Sequence, residues 1–280
     1  MNVKIIIDST SDVTAELKEK LTVVPLTVHF GDEEYIDGVT ITHKQFYEKL
    51  IETDTLPSTS QATPADFEKE FKKLKEGESA IVITLSSKLS GTFQSATIAA
   101  EDYDNVYVVD SASATIGGGI LAQYALSLSE AGMSAKEIAA KLEVQKKRIC
   151  IIAMVDTLEY LKRGGRVSKA VAFAGGVLNI KPVLSVIDGE IEMLGKARGS
   201  KQGNNLLVSE IQKSGGVDFD MPVLLGYTGL SDITLQKYVE DSHELWQESK
   251  TKLNHTVIGS VIGTHAGPGA IATAFFKKGQ

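Results

Sequence analysis

Cysteine is nearly missing from this chain: its 280 residues include one, Cys150. A single thiol closes no internal disulfide, which points to a reducing compartment, the cytoplasm. Its place in the apolar run Ile149–Val155 reads as a small buried hydrophobe. A basic excess is missing too. Twenty-nine Lys and Arg stand against 36 Asp and Glu, a formal net charge of −7, and the pI is near 5.4. That excludes the broad basic face of a general nucleic-acid binder and leaves room only for a local basic patch. No apolar run approaches the ~20 residues of a membrane span, and the short run Val3–Ile7 stops at Asp8, so no signal peptide is expected. The five histidines show no H-x-x-x-H spacing, and C-x-x-C does not occur. Gly117-Gly118-Gly119 has the spacing of neither a dinucleotide loop nor a P-loop, and there is no G-x-S-x-G elbow.

What is present is ordinary material for a globular protein: 42% hydrophobic and 23% charged residues, enough for a sizeable core in one large domain or, better, two. Val3–Ile7 is a β-branched run ending in Asp8-Ser9-Thr10-Ser11-Asp12, the pattern of a strand buried on both faces. A helix over 14–21, a strand Val23–Phe30 and a turn at Gly31–Glu34 follow. Thr42-x-x-Gln45 predicts a capping box and a helix to about Ile51. Thr63-Pro64-x-Asp66 predicts another, running to about Gly77. Strands Ala80–Leu85 and Val106–Val109 alternate with helices opening at Thr92, after Gly119 and at Ser134. Residues 1–147 therefore predict a mainly parallel, doubly wound α/β domain. Residues 148–280 read differently. They hold a strand at Ile149–Val155, a short helix Thr157–Arg163, and a small apolar stretch Val167–Leu178. A hairpin turns at Asp188-Gly189, and then come a helix Lys201–Lys213, a strand Met221–Gly226, a helix Thr234–Ser249 and a last strand Thr256–Gly263. This predicts an α+β domain with a mixed or antiparallel sheet, the change falling near 145–150.

The chemistry-bearing stretch is Ile81–Ala96. An apolar strand runs into Ser86, Ser87, Ser90, Gly91 and Thr92 and then a helix start. Free N–H groups, the positive end of the helix dipole and several hydroxyls converge there, an anion site for phosphate or carboxylate. A second hydroxyl cluster, Ser58-Thr59-Ser60 with Thr63, also precedes a helix. If the two clusters sit on parallel neighbouring strands, Thr59 and Ser90 hold one carboxylate between them. The plainer alternative is that these hydroxyls only cap helices. Lys162-Arg163-Gly164-Gly165-Arg166 and Lys196-Ala197-Arg198 are basic turns, either solvated surface or an anion-facing patch. His265, among small turn residues after the last expected strand, is a candidate cleft histidine. Asp8 and Asp12 have metal-ligand chemistry but no companion ligands. Small residues in Ala170–Gly176 and Gly117–Ala125 would permit an apolar tunnel or simply close helix packing.

The ordered set Asp8-Ser9-Thr10-Ser11-Asp12, Pro57-Ser58-Thr59-Ser60-Gln61, Leu89-Ser90-Gly91-Thr92-Phe93-Gln94-Ser95-Ala96, Gly164-Gly165-Arg166 and Gly263-Thr264-His265-Ala266-Gly267-Pro268-Gly269 resembles the DegV family, bacterial fatty-acid-binding proteins, over essentially the full length. The resemblance implies two α/β domains with a long-chain fatty acid, of the palmitate, stearate or oleate class, buried between them. It implies that Thr59 and Ser90 match the family's carboxylate-binding hydroxyls, with Ser60, Gly91 and Thr92 beside them. Arg166, Arg198 and His265 match positions tied to the head-group region or to partner docking. It further implies a cytoplasmic carrier without cofactor or metal. Such a carrier presents its cargo to a separate ATP-dependent fatty acid kinase subunit, which makes an acyl phosphate for phospholipid synthesis. One departure is Ala62, where the family often has proline after the glutamine; Thr63-Pro64 restores a turn one step later. The rival readings are a hydrolase or transferase on a small acyl or phosphorylated substrate, with Ser90 or Ser86 as nucleophile and His265 as base, and a pure interaction protein with lipid as filler.

Overall fold

The computed structural model describes residues 2–53, 55–166, 179–249 and 253–279. The first half comprises β1 (Asn2–Asp8), α1 (Ala15–Lys18), β2 (Thr22–Val24), β3 (Thr27–Phe30), β4 (Glu33–Ile36), α2 (His43–Glu52), β5 (Ser58–Ser60), α3 (Pro64–Phe71), β6 (Glu78–Thr84), α4 (Thr92–Ala100), β7 (Val106–Asp110), α5 (Ile116–Glu130) and α6 (Ala135–Gln145). The second comprises β8 (Ile149–Met154), α7 (Glu159–Arg163), β9 (Ile180–Ile187), β10 (Glu190–Arg198), α8 (Ser200–Lys213), β11 (Leu224–Tyr227), α9 (Ile233–Asp241), α10 (His243–Trp246), β12 (His255–Val257), α11 (Ser260–Ala266) and β13 (Ile271–Phe276). The fold is α/β. A four-stranded, all-parallel sheet β2-β1-β6-β7 is built from the first half, and a six-stranded mixed sheet β10-β9-β8-β13-β11-β12 from the second. In the mixed sheet only β11 and β12 run parallel.

Side-chain alternation explains the layers. In the parallel sheet Val3, Ile5, Ile7, Ile81 and Ile83 pack against Leu121, Ala122, Ile138 and Leu142 of α5 and α6. Ile6, Ala80 and Val82 face the other way, onto Phe67 and Phe71 of α3 and Ala96 of α4. One face of the mixed sheet is covered by α8, α9 and α10 through Leu207, Ile211, Tyr238 and Trp246. Its other face meets Ile116 and Ile120 of α5, joining the two halves. The expected helix starts form as reciprocal caps, Thr42 with Gln45, Thr63 with Asp66 and Ser134 with Glu137. Among the described residues no helix is long and apolar enough to cross a membrane.

Several expected elements are corrected. The strand Val23–Phe30 is two strands, because Pro25 has no N–H to give to a ladder; the Ser9 hydroxyl accepts Leu26 N–H at 3.0 Å beyond the break. Ser58–Ser60 is not a strand of the parallel sheet. It forms β5, paired antiparallel to β3 in a separate three-stranded sheet β4-β3-β5. The helix from Pro64 ends at Phe71, short of Gly77. Thr234–Ser249 divides at Ser242, whose hydroxyl turns back onto Tyr238 O and accepts the Trp246 indole. The supposed last strand Thr256–Gly263 is the last two residues of β12 followed by most of α11. The true last strand, β13, lies beyond it, so His265 sits on a helix before that strand rather than in a loop after it. Cys150 is half-buried, and burial pushes its thiol up. Gly117–Gly119 lie in the first turn of α5, tight against Ser113, Ser11 and the Asp12 carbonyl, and line no tunnel. The stretch Val167–Leu178, with Ala170–Gly176, lies outside the described residues.

Candidate functional site

A cavity of about 390 Å³ lies between the two sheets. The parallel sheet reaches it through the chain leaving β6 and β7: Leu85, Leu89, Ser90, Gly91, Ala114 and Thr115. The mixed sheet lines it with a face: Ile151, Ala153 and Val155 from and after β8, Leu184 and Val186 of β9, Ile191 of β10, and Ala272 of β13. Helix α11 adds Val261, Ile262, His265 and Ala266. The lining is largely apolar, its polar members being Thr59, Ser60, Gln61, Ser90, Thr115, Arg166, Ser185 and His265. Of these, Thr59, Arg166 and His265 also line an outer cleft of about 480 Å³ with Ser58, Tyr160, Arg163 and Gly164. These three residues are where the inner cavity meets the cleft.

At this junction the Thr59 hydroxyl lies 3.0 Å from His265 Nε2. The pairing joins β5 to α11. Burial first, and the Arg166 guanidinium second, push the His265 imidazole down to about 4, so the ring is neutral at pH 7. Its Nδ1 is buried with no partner among the described residues, packed so close to Gly164 that a Cβ there would overlap the ring. An Nε2–H donated to Thr59 leaves the hydroxyl hydrogen of Thr59 free to give to a ligand. Arg166 is exposed; its guanidinium donates to Gly164 O at 2.6 Å and Leu89 O at 3.3 Å.

Ser90 stands just ahead of α4. Its Oγ is 2.9 Å from the buried Thr92 hydroxyl and accepts Thr92 N–H at 3.3 Å. Gly91 occupies the cap position of α4 and itself lines the cavity, so the start of the helix, the positive end of its dipole, lies at the cavity wall. Gln61 lies directly over Gly91, where a Cβ would collide with its carboxamide, and donates to Ser95 Oγ at 2.9 Å. Asp8 shapes the neighbouring wall by accepting Leu85 N–H at 2.7 Å and Thr10 N–H at 2.9 Å. Burial raises its carboxyl to about 6.

Of the expected residues, Thr59, Ser60, Ser90, Gly91, Arg166 and His265 line the cavity. Thr92 does not, and lies behind Ser90 as its hydrogen-bond partner. Ser60 also shares a 2.9 Å hydrogen bond with His29. Arg198, at the exposed end of β10, is not among the residues lining this cavity or cleft, and among the described residues its backbone N–H donates to Gln202 at 3.1 Å. The two hydroxyl clusters do meet, but from different sheets rather than from parallel neighbours. His265 is bonded to Thr59, whereas Ser86 donates to Gly189 O at 2.7 Å and Ser90 is engaged with Thr92.

Sequence reasoning missed Gln61, Thr115 and the alanines of the mixed sheet. Ala153 and Ala272 are register partners on β8 and β13, and together they hollow the wall. Alanine is a poor strand residue, so its presence inside ICIIAM and IATAFF was an available signal.

The sequence matches the profile of the DegV family, described as uncharacterised proteins, over residues 2–278. A DegV domain-containing protein of Caldanaerobacter subterraneus subsp. tengcongensis is 36% identical over 282 residues, 99% of each chain. A solved structure from Thermus thermophilus, titled as fatty acid binding of a DegV family protein, has a TM-score of 0.87 and 32% identity, with 99% of this chain and 100% of that one covered. That of DegV from Bacillus subtilis, called a fatty acid binding protein, has a TM-score of 0.84 and 31% identity over 99% and 100% of the two chains.

Proposed function

The chain belongs to the DegV family, and on that premise we propose that its cavity holds a long-chain fatty acid of the palmitate, stearate or oleate class. One arrangement carries this reading: a largely apolar cavity, lined also by Ser90, that meets an outer cleft at Thr59, His265 and Arg166. The volume falls at the small-ligand end of the usual ~300–1,000 Å³ range. The acyl chain lies against Ile151, Ala153, Leu184, Val186 and Ala272. The carboxylate accepts hydrogen bonds from the Thr59 and Ser90 hydroxyls, helped by the α4 helix end and the charge of Arg166.

The finer proposal is a carrier role. The carboxylate, held at the junction with the cleft, is presented to a separate ATP-dependent kinase subunit. There a carboxylate oxygen attacks the γ-phosphorus, ADP leaves, and an acyl phosphate results. The chain itself binds and orients; Arg166, and Arg198 further along the surface, face the partner. The alternative of a serine nucleophile with His265 as base is less favoured. His265 is spent on Thr59, and its unpartnered Nδ1 lacks the orienting group such pairs use.

Denaturing mass spectrometry of the purified protein is expected to release a fatty acid, and calorimetry of lipid-stripped protein to show binding of palmitate or oleate. Finding neither would overturn the binding reading. With a candidate kinase subunit and ATP, hydroxylamine is expected to trap the acyl phosphate as a hydroxamate. Arg166→Ala that binds lipid normally yet yields full hydroxamate would remove Arg166 from the docking role.

A further inference from the structure

The motif Asp8-Ser9-Thr10-Ser11-Asp12 contains an aspartate that the cavity does not use. Asp12 is 5% exposed and Asp37 is 3% exposed. Both reach across from the first half of the chain to the start of α11. Asp12 Oδ1 accepts Gly259 N–H at 2.8 Å, and Asp37 Oδ1 accepts Ser260 N–H at 3.3 Å. Asp12 Oδ2 also accepts the Thr115 hydroxyl at 2.6 Å, and Thr115 lines the fatty-acid cavity. Asp37 has no other side-chain hydrogen bond among the described residues: its Oδ2 is buried without a partner. Asp37 lines a small void of about 40 Å³ with Ser11, Asp12, Lys18 and His43. Two buried carboxylates are costly to keep. Their common hydrogen-bonding target here is the first turn of one short helix.

That helix needs them. Alpha-11 has seven residues, far fewer than an isolated helix requires, and its β-branched sequence reads as strand. No side chain of its own cap residue, Gly259, satisfies the free N–H groups. The helix is further seated by Tyr47, whose hydroxyl donates to Ile258 O at 2.8 Å. At the opposite end, roughly 10 Å along the axis, it carries His265 to Thr59.

We propose that Asp12 and Asp37 are positioning residues for the carboxylate end of the cavity: by anchoring the start of α11 they set where His265 stands beside Thr59. The proposal rests on the fatty-acid reading for its binding arm, and on the imidazole alone for its second arm.

The test uses the full-length protein. Asp12→Ala and Asp37→Ala are expected to keep the circular dichroism of the parent, to move the His265 imidazole resonances in NMR, and to weaken palmitate binding at least about tenfold. Asp12→Asn and Asp37→Asn keep an oxygen acceptor and are expected to restore both. Gly259→Ala inserts a methyl 3.0 Å from Asp12 Oδ1 and 3.2 Å from His43 Nε2, and is expected to move the same resonances. Ile211→Ala, buried under the far face of the mixed sheet, controls for lost stability and is expected to leave them in place.

Folded alanine variants with unmoved His265 resonances and unchanged affinity would overturn the proposal. So would an Ile211→Ala control that moves them as much at equal loss of Tm. Where the alanine variants do not fold, Gly259→Ala decides, and unmoved resonances again overturn it. If the parent protein binds no fatty acid, the cavity reading fails while the imidazole arm still decides the anchor.

Discussion

The two sheets meet the same cavity in different ways. The parallel sheet meets it end-on, through the loops and helix start that follow β6 and β7, while the mixed sheet meets it face-on, through side chains of β8, β9, β10 and β13. Strand ends expose backbone N–H groups and hydroxyl-bearing turns, so the first half contributes hydrogen bonding. A sheet face offers only alternate side chains, so the mixed sheet contributes mainly apolar wall, while His265 and Arg166 come from outside its strands. A largely apolar cavity that also meets hydroxyls and a helix start follows from this crossing of end and face. A pocket between two faces would lack the helix end, and one between two sets of strand ends would lack the wall.

The largest way to break this comparison is to fill the face. Ala272→Phe projects a ring where Ala153 and Ala272 hollow the wall. If it denies about five methylenes the cavity, at about 0.8 kcal/mol each, long-chain affinity falls by about 4 kcal/mol. Calorimetry across chain lengths checks this, with short acids losing less than palmitate. Removing a hydroxyl from the carboxylate end is expected to cost less. Ser90→Ala or Thr59→Ala loses a hydrogen bond to a charged group, about 1.5–3 kcal/mol. The loss should appear for the acid and vanish for its methyl ester, which separates head-group recognition from wall burial.

Smaller effects come from the buried titrating groups behind the end-on side. Burial holds the Asp12 carboxyl up at about 8, against the hydrogen bonds from Thr115 and Gly259. The unfolded chain ionises near 4, so the stability from the protonated form is full below that pH and is lost as pH rises to about 8. Asp12→Asn does not titrate, so its Tm advantage over the parent should widen from pH 4 to pH 8. It should reach about 2–4 °C if roughly 1 kcal/mol of desolvation is relieved. His265 runs the other way. With its imidazole pushed down to about 4, its contribution is full above about 6.5 and is lost as pH falls toward 4. The smallest expected signal is a rise of that pKa when a fatty carboxylate binds, read from imidazole NMR shifts with and without palmitate.

Much of the end-on side was legible in the sequence because its signals are local. A hydroxyl-rich turn after an apolar run, a glycine before a helix and reciprocal caps at Thr42, Thr63 and Ser134 depend on neighbours a few residues away. The face-on side was not, since a hollow wall depends on which strands become neighbours. Ala153 opposite Ala272 is a register fact separated by more than a hundred positions. The same reason explains the misread α11. The stretch Thr256–Gly263 carries the β-branched spacing of a strand, while the carboxylates that accept the N–H groups at the start of the helix found there, Asp12 and Asp37, come from the far end of the chain.

By itself the sequence determined the α/β class, the starts of the main helices, and a hydroxyl-rich turn at the end of β6, because periodicity and capping act over a turn or two. Tertiary structure decided that Thr59 would come from a separate antiparallel sheet. It also put His265 on a capped helix against Thr59, and made two alanines into a wall. Those outcomes rest on hydrogen bonds and packing between residues far apart in the chain.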